Sequence, residues 1–216
     1  MMKMLGILLC VLICSSCRPG SDKNTADILI KQAEGLYLKG DYGQALLVLD
    51  RAQHVDNSNY MIYEMRAYIL DKINKRWDSG PIILSNLNMA IQLAPRRASS
   101  SYHLRGVLAL KRYDMQNALK DLTAAIEMAP TAPKTCQSYI RRATAYGAMS
   151  NYDSAINDAT RAIEMNPREV KAFVIRAAAY NSISNRAEAI QDLEMAIQLA
   201  PADDIVLSLK SDMGLE

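Results

Sequence analysis

The chain has 216 residues, of which 50% are hydrophobic and 22% are charged, and its formal net charge is +2 at pH 7. This length suits one compact domain or a short repeat array. A charge so close to neutral does not supply the positive field with which proteins bind nucleic acid, so we expect no nucleic-acid partner. The two histidines, His54 and His103, lie far apart in the sequence and no glycine-rich phosphate loop occurs. The composition therefore predicts no metal site, no cofactor and no enzyme active site.

The N-terminus has the pattern of an export signal. Lys3 gives a positive start, and residues 4–14 form an apolar run that is too short to span a bilayer as a helix. Two serines then precede Cys17. Small residues directly before a cysteine resemble the lipobox of bacterial lipoproteins, in which the cysteine is acylated and becomes the first residue.

This resemblance implies a lipid on Cys17, removal of residues 1–16, and a flexible tether over the polar residues 17–25. The sequence departs from the lipobox at Cys14, where leucine is usual. Acylation of Cys14 is the poorer alternative because a bulky isoleucine precedes it, and a plain signal peptide is the third possibility.

In the rest of the chain, small residues recur at a fixed spacing. An Ala or Gly is followed twelve residues later by Ala, seven further by Ala and five further by Pro. Three copies are complete: Gly106, Ala118, Ala125, Pro130; Ala143, Ala155, Ala162, Pro167; and Ala177, Ala189, Ala196, Pro201. Two earlier copies are incomplete: Ala33, Ala45, Ala52 with Asn57 in place of proline, and Ala67, Ile83, Ala90, Pro95.

This signature resembles the tetratricopeptide repeat, a helical hairpin in which small residues let the two helices approach closely. The resemblance implies an all-α fold, a right-handed α-solenoid of about five hairpins followed by a capping helix at 204–216. The repeats are expected over residues 26–203, at 26–59, 60–97, 99–132, 136–169 and 170–203. The position three residues after the first small residue carries Tyr146 and Tyr180 in the last two copies and Leu36, Leu70 and Ala109 in the others.

A charge pattern accompanies the repeats. Arginine directly precedes the first small residue in four copies, and aspartate stands three residues after the second small residue in the last three. The first copy lacks both and has Gln32 and Val48 at these sites, while the second copy has Arg66 and Asn86. Because the two sites change together, we predict Arg–Asp ion pairs within about 4 Å at the helix seams.

The tetratricopeptide resemblance also implies a concave groove lined by the first helices. The side chains expected there are Ile30, Glu34, Tyr37, Leu38, Glu64, Tyr68, His103, Val107, Ile140, Thr144 and Val174. The lysine and asparagine clamp with which some members grip C-terminal carboxylates is absent from these positions. A peptide held by apolar contacts is therefore expected. Trp77 lies in an insertion of the second copy and is either a partner contact or packs back on a neighbouring helix.

Together these features predict a membrane-tethered scaffold that binds a protein or peptide partner of the bacterial cell envelope. The expected location is the periplasmic side of the outer membrane, because the lipid anchor and repeat number resemble the accessory lipoproteins of outer-membrane β-barrel assembly and pilus biogenesis. Two alternatives remain open at this stage: an adaptor for peptidoglycan-processing enzymes, and a glycan- or ligand-capture lipoprotein, which would need stacked aromatic side chains.

Overall fold

The computed structural model describes residues 19–73 and 80–215, and the regular secondary structure of these ranges is entirely helical. The helices in these ranges are α1 Pro19–Leu38, α2 Tyr42–Val55, α3 Tyr60–Ile73, α4 Gly80–Leu93, α5 Ser99–Lys111, α6 Met115–Met128, α7 Pro133–Ala148, α8 Tyr152–Met165, α9 Val170–Ser182, α10 Arg186–Leu199 and α11 Asp204–Asp212. The expected all-α fold class is confirmed. Of the helices just named, none is both long and apolar enough to cross a membrane.

The chain divides into two compact units, Met1–Ile62 and Tyr63–Glu216. In the first unit, α1 packs against α2. In the second unit, α5 packs on α6, α7 on α8 and α9 on α10, and the hairpins follow one another through contacts of α4 with α5, α6 with α7 and α8 with α9. Each hairpin buries an apolar face that it could not bury alone, which is the reason such units stack.

The small residues of the repeat signature lie where helices come closest. Every alanine of that signature is at most 2% exposed. Gly106 shows how little space there is, since a Cβ atom on it would lie 2.8 Å from Cγ of Leu122 on the facing helix. Larger side chains at these sites would therefore separate the two helices of a hairpin.

The four hairpin turns that lie within the described residues use the left-handed backbone region. Gly40, Tyr113, Ser150 and Ser184 occupy equivalent turn positions with φ of 81°, 59°, 57° and 62°. The next helix is then capped in several copies, for example by Asp114, whose carboxylate accepts a hydrogen bond from the Asn117 backbone N–H at 3.2 Å. Only glycine adopts this φ without a steric cost, so three of the four turns carry local strain.

Two helices extend further toward the N-terminus than the sequence predicts. α1 includes residues 19–25, which are therefore helical and not part of the flexible tether expected over 17–25. α7 starts at Pro133, ahead of the repeat boundary at 136. Pro133 suits the first turn of α7 because its missing N–H would have no partner there and its φ is already helical. The polar residues that follow Pro19 do not interrupt a helix.

The predicted Arg–Asp pairs are confirmed in the last three hairpins. Each guanidinium donates two hydrogen bonds to one carboxylate, as planar arginine and carboxylate groups do when they pair side by side. The Nε and Nη2 distances to the two carboxylate oxygens are 2.7 and 2.7 Å for Arg105–Asp121, 2.7 and 2.8 Å for Arg142–Asp158, and 2.7 and 2.7 Å for Arg176–Asp192.

The same arginines also reach the preceding hairpin. Nη1 donates to Asn88 Oδ1 at 2.7 Å from Arg105, to Thr123 Oγ1 at 2.9 Å from Arg142, and to Thr160 Oγ1 at 3.0 Å from Arg176. These acceptors occupy one equivalent position, two residues before the last alanine of the repeat signature (Ala90, Ala125 and Ala162). One side chain therefore closes its own hairpin and joins it to the hairpin before it.

The last hairpin is covered by α11. Val206, Leu209 and Met213 pack with Phe173 and Leu193 in one buried cluster. Asp203 begins the helix by accepting hydrogen bonds from two backbone N–H groups. α11 thus acts as the expected cap, because it shields the apolar face that the repeat pattern leaves at its end.

Asp158→Ala should lower the free energy of unfolding by about 3 kcal/mol, since it leaves the largely buried guanidinium of Arg142 without its carboxylate. Urea unfolding followed by circular dichroism measures this change. Glu164→Ala is the matched control, because it removes the exposed Arg161–Glu164 pair of the same helix and should cost less than about 1 kcal/mol. Equal losses in the two variants would show that the inner pair does not stabilise the fold.

Tyr113→Gly should raise the free energy of unfolding by about 0.5–1 kcal/mol, because glycine relieves the strain of a left-handed residue. The tyrosine side chain is 85% exposed, so little packing is lost. Tyr113→Ala, which keeps a Cβ atom, should give no gain in the same unfolding measurement. A gain of the same size in the alanine variant would mean that the strain is not the cause.

Candidate functional site

Three of the side chains predicted to line the groove lie in the core. Ile30, Ile140 and Val174 are only 5%, 2% and 8% exposed, so the prediction that they contact a ligand is wrong. Ile140 packs with Ala172 and other buried residues at the seam between hairpins. Two side chains one turn apart on a helix can differ in solvent exposure, because the next helix covers one of them and not the other.

The predicted groove residues of α1 are described within the first unit. Glu34 and Leu38 are exposed, and Leu38 is 77% accessible to solvent. Tyr37 is partly buried against Tyr42, with 5.7 Å between the ring centroids. This end of α1 therefore presents an acidic and an apolar side chain to solvent.

Polar side chains join successive first helices of the second unit. Ser101 Oγ on α5 donates to Glu64 Oε1 on α3 at 2.9 Å. His103 Nδ1 lies 2.8 Å from Ser138 Oγ on α7. Both pairs join the same two repeat positions. Glu64 and His103 stand three residues before the first small residue of their own copies, and Ser101 and Ser138 stand five residues before the first small residue of the copies that follow. At the following seam the same two sites hold Ile140 and Ala172, so the connection there is apolar.

Cationic side chains lie beside these polar pairs. The Tyr68 hydroxyl donates to the Ser100 carbonyl at 3.0 Å, and Lys134 Nζ is 5.0 Å from the Tyr68 ring centroid. Lys134 is exposed and Arg141 is partly exposed. We call Glu64, Tyr68, Ser101, His103, Lys134, Ser138 and Arg141 the first-helix row.

Electrostatics in the first-helix row favour neutral forms of its buried groups. Burial, with smaller contributions from the positive charges of Arg141 and Lys134, lowers the pKa of His103 to about 4. Burial also raises the pKa of Glu64, although the hydrogen bond from Ser101 and the charge of Lys134 oppose this shift. His103 is therefore uncharged at neutral pH, and the positive charge of the row belongs to Lys134 and Arg141.

The His103–Ser138 pair does not form a nucleophilic site. Ser138 is 2% exposed, so its hydroxyl cannot reach a substrate in this arrangement. Across residues 19–73 and 80–215, no group of three His, Cys, Asp or Glu side chains could hold a metal ion. Cys136 is buried, its thiol donates to the Ala162 carbonyl at 3.5 Å, and burial raises its pKa. The buried Ser138 and Cys136 side chains therefore contribute to packing between helices.

The remaining predicted residues differ in exposure. Val107 is partly buried, and Thr144 is exposed with its hydroxyl donating to the Ile140 carbonyl at 2.9 Å. Cys17 and Trp77 lie outside the described residues, so their roles stay predictions. The exposed groove positions in the second unit are thus more polar than the sequence predicts.

Comparison with known proteins identifies the repeat. Residues 140–204, from α7 to the first residue of α11, match the model of the tetratricopeptide repeat family. Among solved structures, YrrB, described as a TPR protein with an unusual peptide-binding site, is 19% identical over 89% of this chain and 95% of its own, with a TM-score of 0.69. The fold is a tetratricopeptide solenoid.

Two further solved structures share this fold. PilF of Pseudomonas aeruginosa is 14% identical over 90% of this chain and 85% of its own, with a TM-score of 0.77. MamA is 18% identical over 89% of this chain and 97% of its own, with a TM-score of 0.66. Identities this low establish the fold and not a shared ligand. Among curated proteins, no sequence matches this chain.

Sequence reasoning missed four members of the first-helix row: Ser101, Lys134, Ser138 and Arg141. One signal could have found the serines. Serine recurs five residues before the small residue in the third and fourth tetratricopeptide copies, opposite a polar residue of the preceding copy. Arg141 does not recur at the same position in the neighbouring copies. Lys134 lies in the helical turn that begins at Pro133, ahead of the repeat boundary.

His103→Gln should reduce the acid sensitivity of the fold. The folded pKa of His103, about 4, lies below its ordinary value of 6.5, so the unfolded chain takes up the proton first as pH falls. This linkage should cost the wild type about 2 kcal/mol between pH 8 and pH 5. Glutamine takes up no proton, and the opposite contribution of Glu64 is shared by both proteins. Urea unfolding at the two pH values measures the difference, and an equal loss in both proteins would contradict the assignment.

Proposed function

We propose that this protein is a polypeptide-binding scaffold that is held at a membrane of the bacterial cell envelope by a lipid on Cys17. The first-helix row is the observation that carries the binding part of this proposal. It combines two cations of α7 with hydrogen-bonding side chains on successive helices of one unit, and the contact between Ser138 and His103 within the row holds neighbouring helices together. Such a surface suits an extended chain, which offers backbone donors and acceptors along its length.

The charge of the row favours an acidic polypeptide. Lys134 lies over the Tyr68 ring, and its charge and that of Arg141 both act on His103. Glu64 does not form an ion pair with either cation among the described contacts, since its carboxylate accepts from Ser101. A carboxylate of the bound chain would gain charge-assisted hydrogen bonds at the two cations.

The membrane part of the proposal rests on the lipobox resemblance of Cys17. Pro19, two residues after that cysteine, already belongs to α1, so a lipid on Cys17 would hold the first hairpin close to the membrane surface. Acyl chains anchor through the burial of methylene groups, each contributing about 0.8 kcal/mol. Assembly of envelope proteins is the role we propose for such an anchored scaffold, and the outer membrane, on its periplasmic side, is its proposed location.

The alternative of glycan capture has less support from the geometry. A sugar platform needs an open aromatic face, whereas Lys134 covers the Tyr68 ring and Tyr37 packs on Tyr42. An adaptor for peptidoglycan-processing enzymes would use the same polypeptide surface, so it differs from our proposal only in the partner.

The lipid anchor can be tested with the full chain in a bacterial host supplied with alkyne-palmitate. The wild type and Cys14→Ala should become labelled, and Cys17→Ala should not, because only the residue that follows the two serines is acylated. Gel fluorescence after click chemistry measures the label. Label retained in Cys17→Ala, or lost only from Cys14→Ala, would refute the assignment.

The binding surface can be tested on an array of random 15-residue peptides. Wild-type protein should select acidic sequences, and Lys134→Glu/Arg141→Glu should bind those sequences at least tenfold more weakly, because each charged hydrogen bond contributes about 1.5–3 kcal/mol. Arg161→Glu is the control, since Arg161 is an exposed arginine of a second helix. Undiminished binding by the double variant would exclude the first-helix row as the site.

A further inference from the structure

A cleft of about 340 Å³ lies between α4, α5 and α6, apart from the first-helix row. Its walls include Asn88, Arg105, Ala109, Arg112, Asn117 and Lys120. Arg105 and His103 are two residues apart on α5, which places them about 200° apart around the helix axis. The cleft therefore opens on a different face of α5 from the polypeptide surface proposed above.

The two hairpins that follow show what fills the equivalent space. Ala109 stands three residues after the first small residue, where the next two copies have Tyr146 and Tyr180. Tyr146 places its ring centroid 5.9 Å from Cζ of Arg142. Tyr180 lines a smaller space of about 200 Å³ beside Arg176. The larger cleft thus occurs where a tyrosine of the repeat is replaced by alanine.

The walls of the cleft suit an aromatic ring. Arg105 is held in place by Asp121 and Asn88, so its guanidinium plane is fixed at the cleft. Tyr102 lies near that guanidinium, with 5.4 Å between Cζ and the ring centroid. Ala109 leaves the space open that Tyr146 occupies beside Arg142. Planar guanidinium groups stack well on aromatic rings.

Polar groups surround this opening. The Arg112 guanidinium approaches the start of α4, where its Nη2 atom would lie 2.9 Å from a Cβ atom on Gly80. Asn117 and Lys120 lie at the α6 side of the cleft. These side chains can exchange hydrogen bonds with a phenol hydroxyl. The combination matches tyrosine, which has an apolar body and a polar tip.

We propose that the cleft beside Ala109 is a binding site for a tyrosine side chain that a partner polypeptide presents. The inserted ring takes the place that Tyr146 fills in the following hairpin. It contacts Arg105, which is equivalent to Arg142 of that hairpin. This site is separate from the first-helix row, so it gives the scaffold a second point of contact on another face of α5.

The probe for this site is N-acetyl-L-tyrosinamide, and saturation-transfer NMR detects its binding to the full chain in detergent micelles. The wild type should give a saturable signal. Ala109→Tyr should reduce that signal at least tenfold, because the chain's own ring fills the cleft as it does in the next two copies. Ala148→Tyr, which adds a tyrosine at an exposed position of α7, should leave the signal unchanged.

The reciprocal variant adds a second test. Tyr146→Ala should open an equivalent cleft beside Arg142 and raise the saturated signal about twofold, provided that circular dichroism shows a helical content equal to that of the wild type. If this variant does not fold, the comparison of Ala109→Tyr with Ala148→Tyr decides alone. A wild-type signal that does not saturate, or one that persists in Ala109→Tyr, would overturn the proposal.

Discussion

The stacked helices of the second unit depend on the contacts of one arginine in each of the last three hairpins. Its guanidinium pairs with an aspartate of the same hairpin and donates a third bond to the hairpin before, as Arg142 does with Asp158 and Thr123. Burying a guanidinium is costly unless it is paired with a carboxylate and hydrogen-bonded. The alanines that surround these contacts bring the helices close enough for that to happen, so close packing and charge pairing require each other.

This regular scaffold leaves two places where side chains depart from the repeat. On one face of the first helices, the seam contacts are polar at Glu64–Ser101 and His103–Ser138 and apolar at Ile140. On another face, a tyrosine is missing at Ala109 and a cleft opens. Function in a repeat protein resides in such departures, since the shared positions are occupied by packing.

The hairpins and the Arg–Asp pairs could be predicted because both depend on spacing, and spacing is visible in one sequence. The burial of Ile140 and Val174 could not, since it depends on which neighbouring helix covers them. The helical conformation of residues 19–25 could not be predicted from polarity, because a polar segment is typical of a tether and also of an exposed helical turn. Ala109 carried a visible signal, because tyrosine occupies that position in the next two copies.

The central claim is that the first-helix row presents the surface that binds the acidic polypeptide. Site-specific photo-cross-linking tests it most directly, with benzoylphenylalanine placed in the living host either at Thr144, exposed on α7, or at Asn157, exposed on α8. Our account predicts a discrete protein adduct from Thr144 that disappears when Lys134 and Arg141 are reversed in charge, and none from Asn157. Adducts from Asn157 alone, or a Thr144 adduct that ignores the charge reversal, would contradict it.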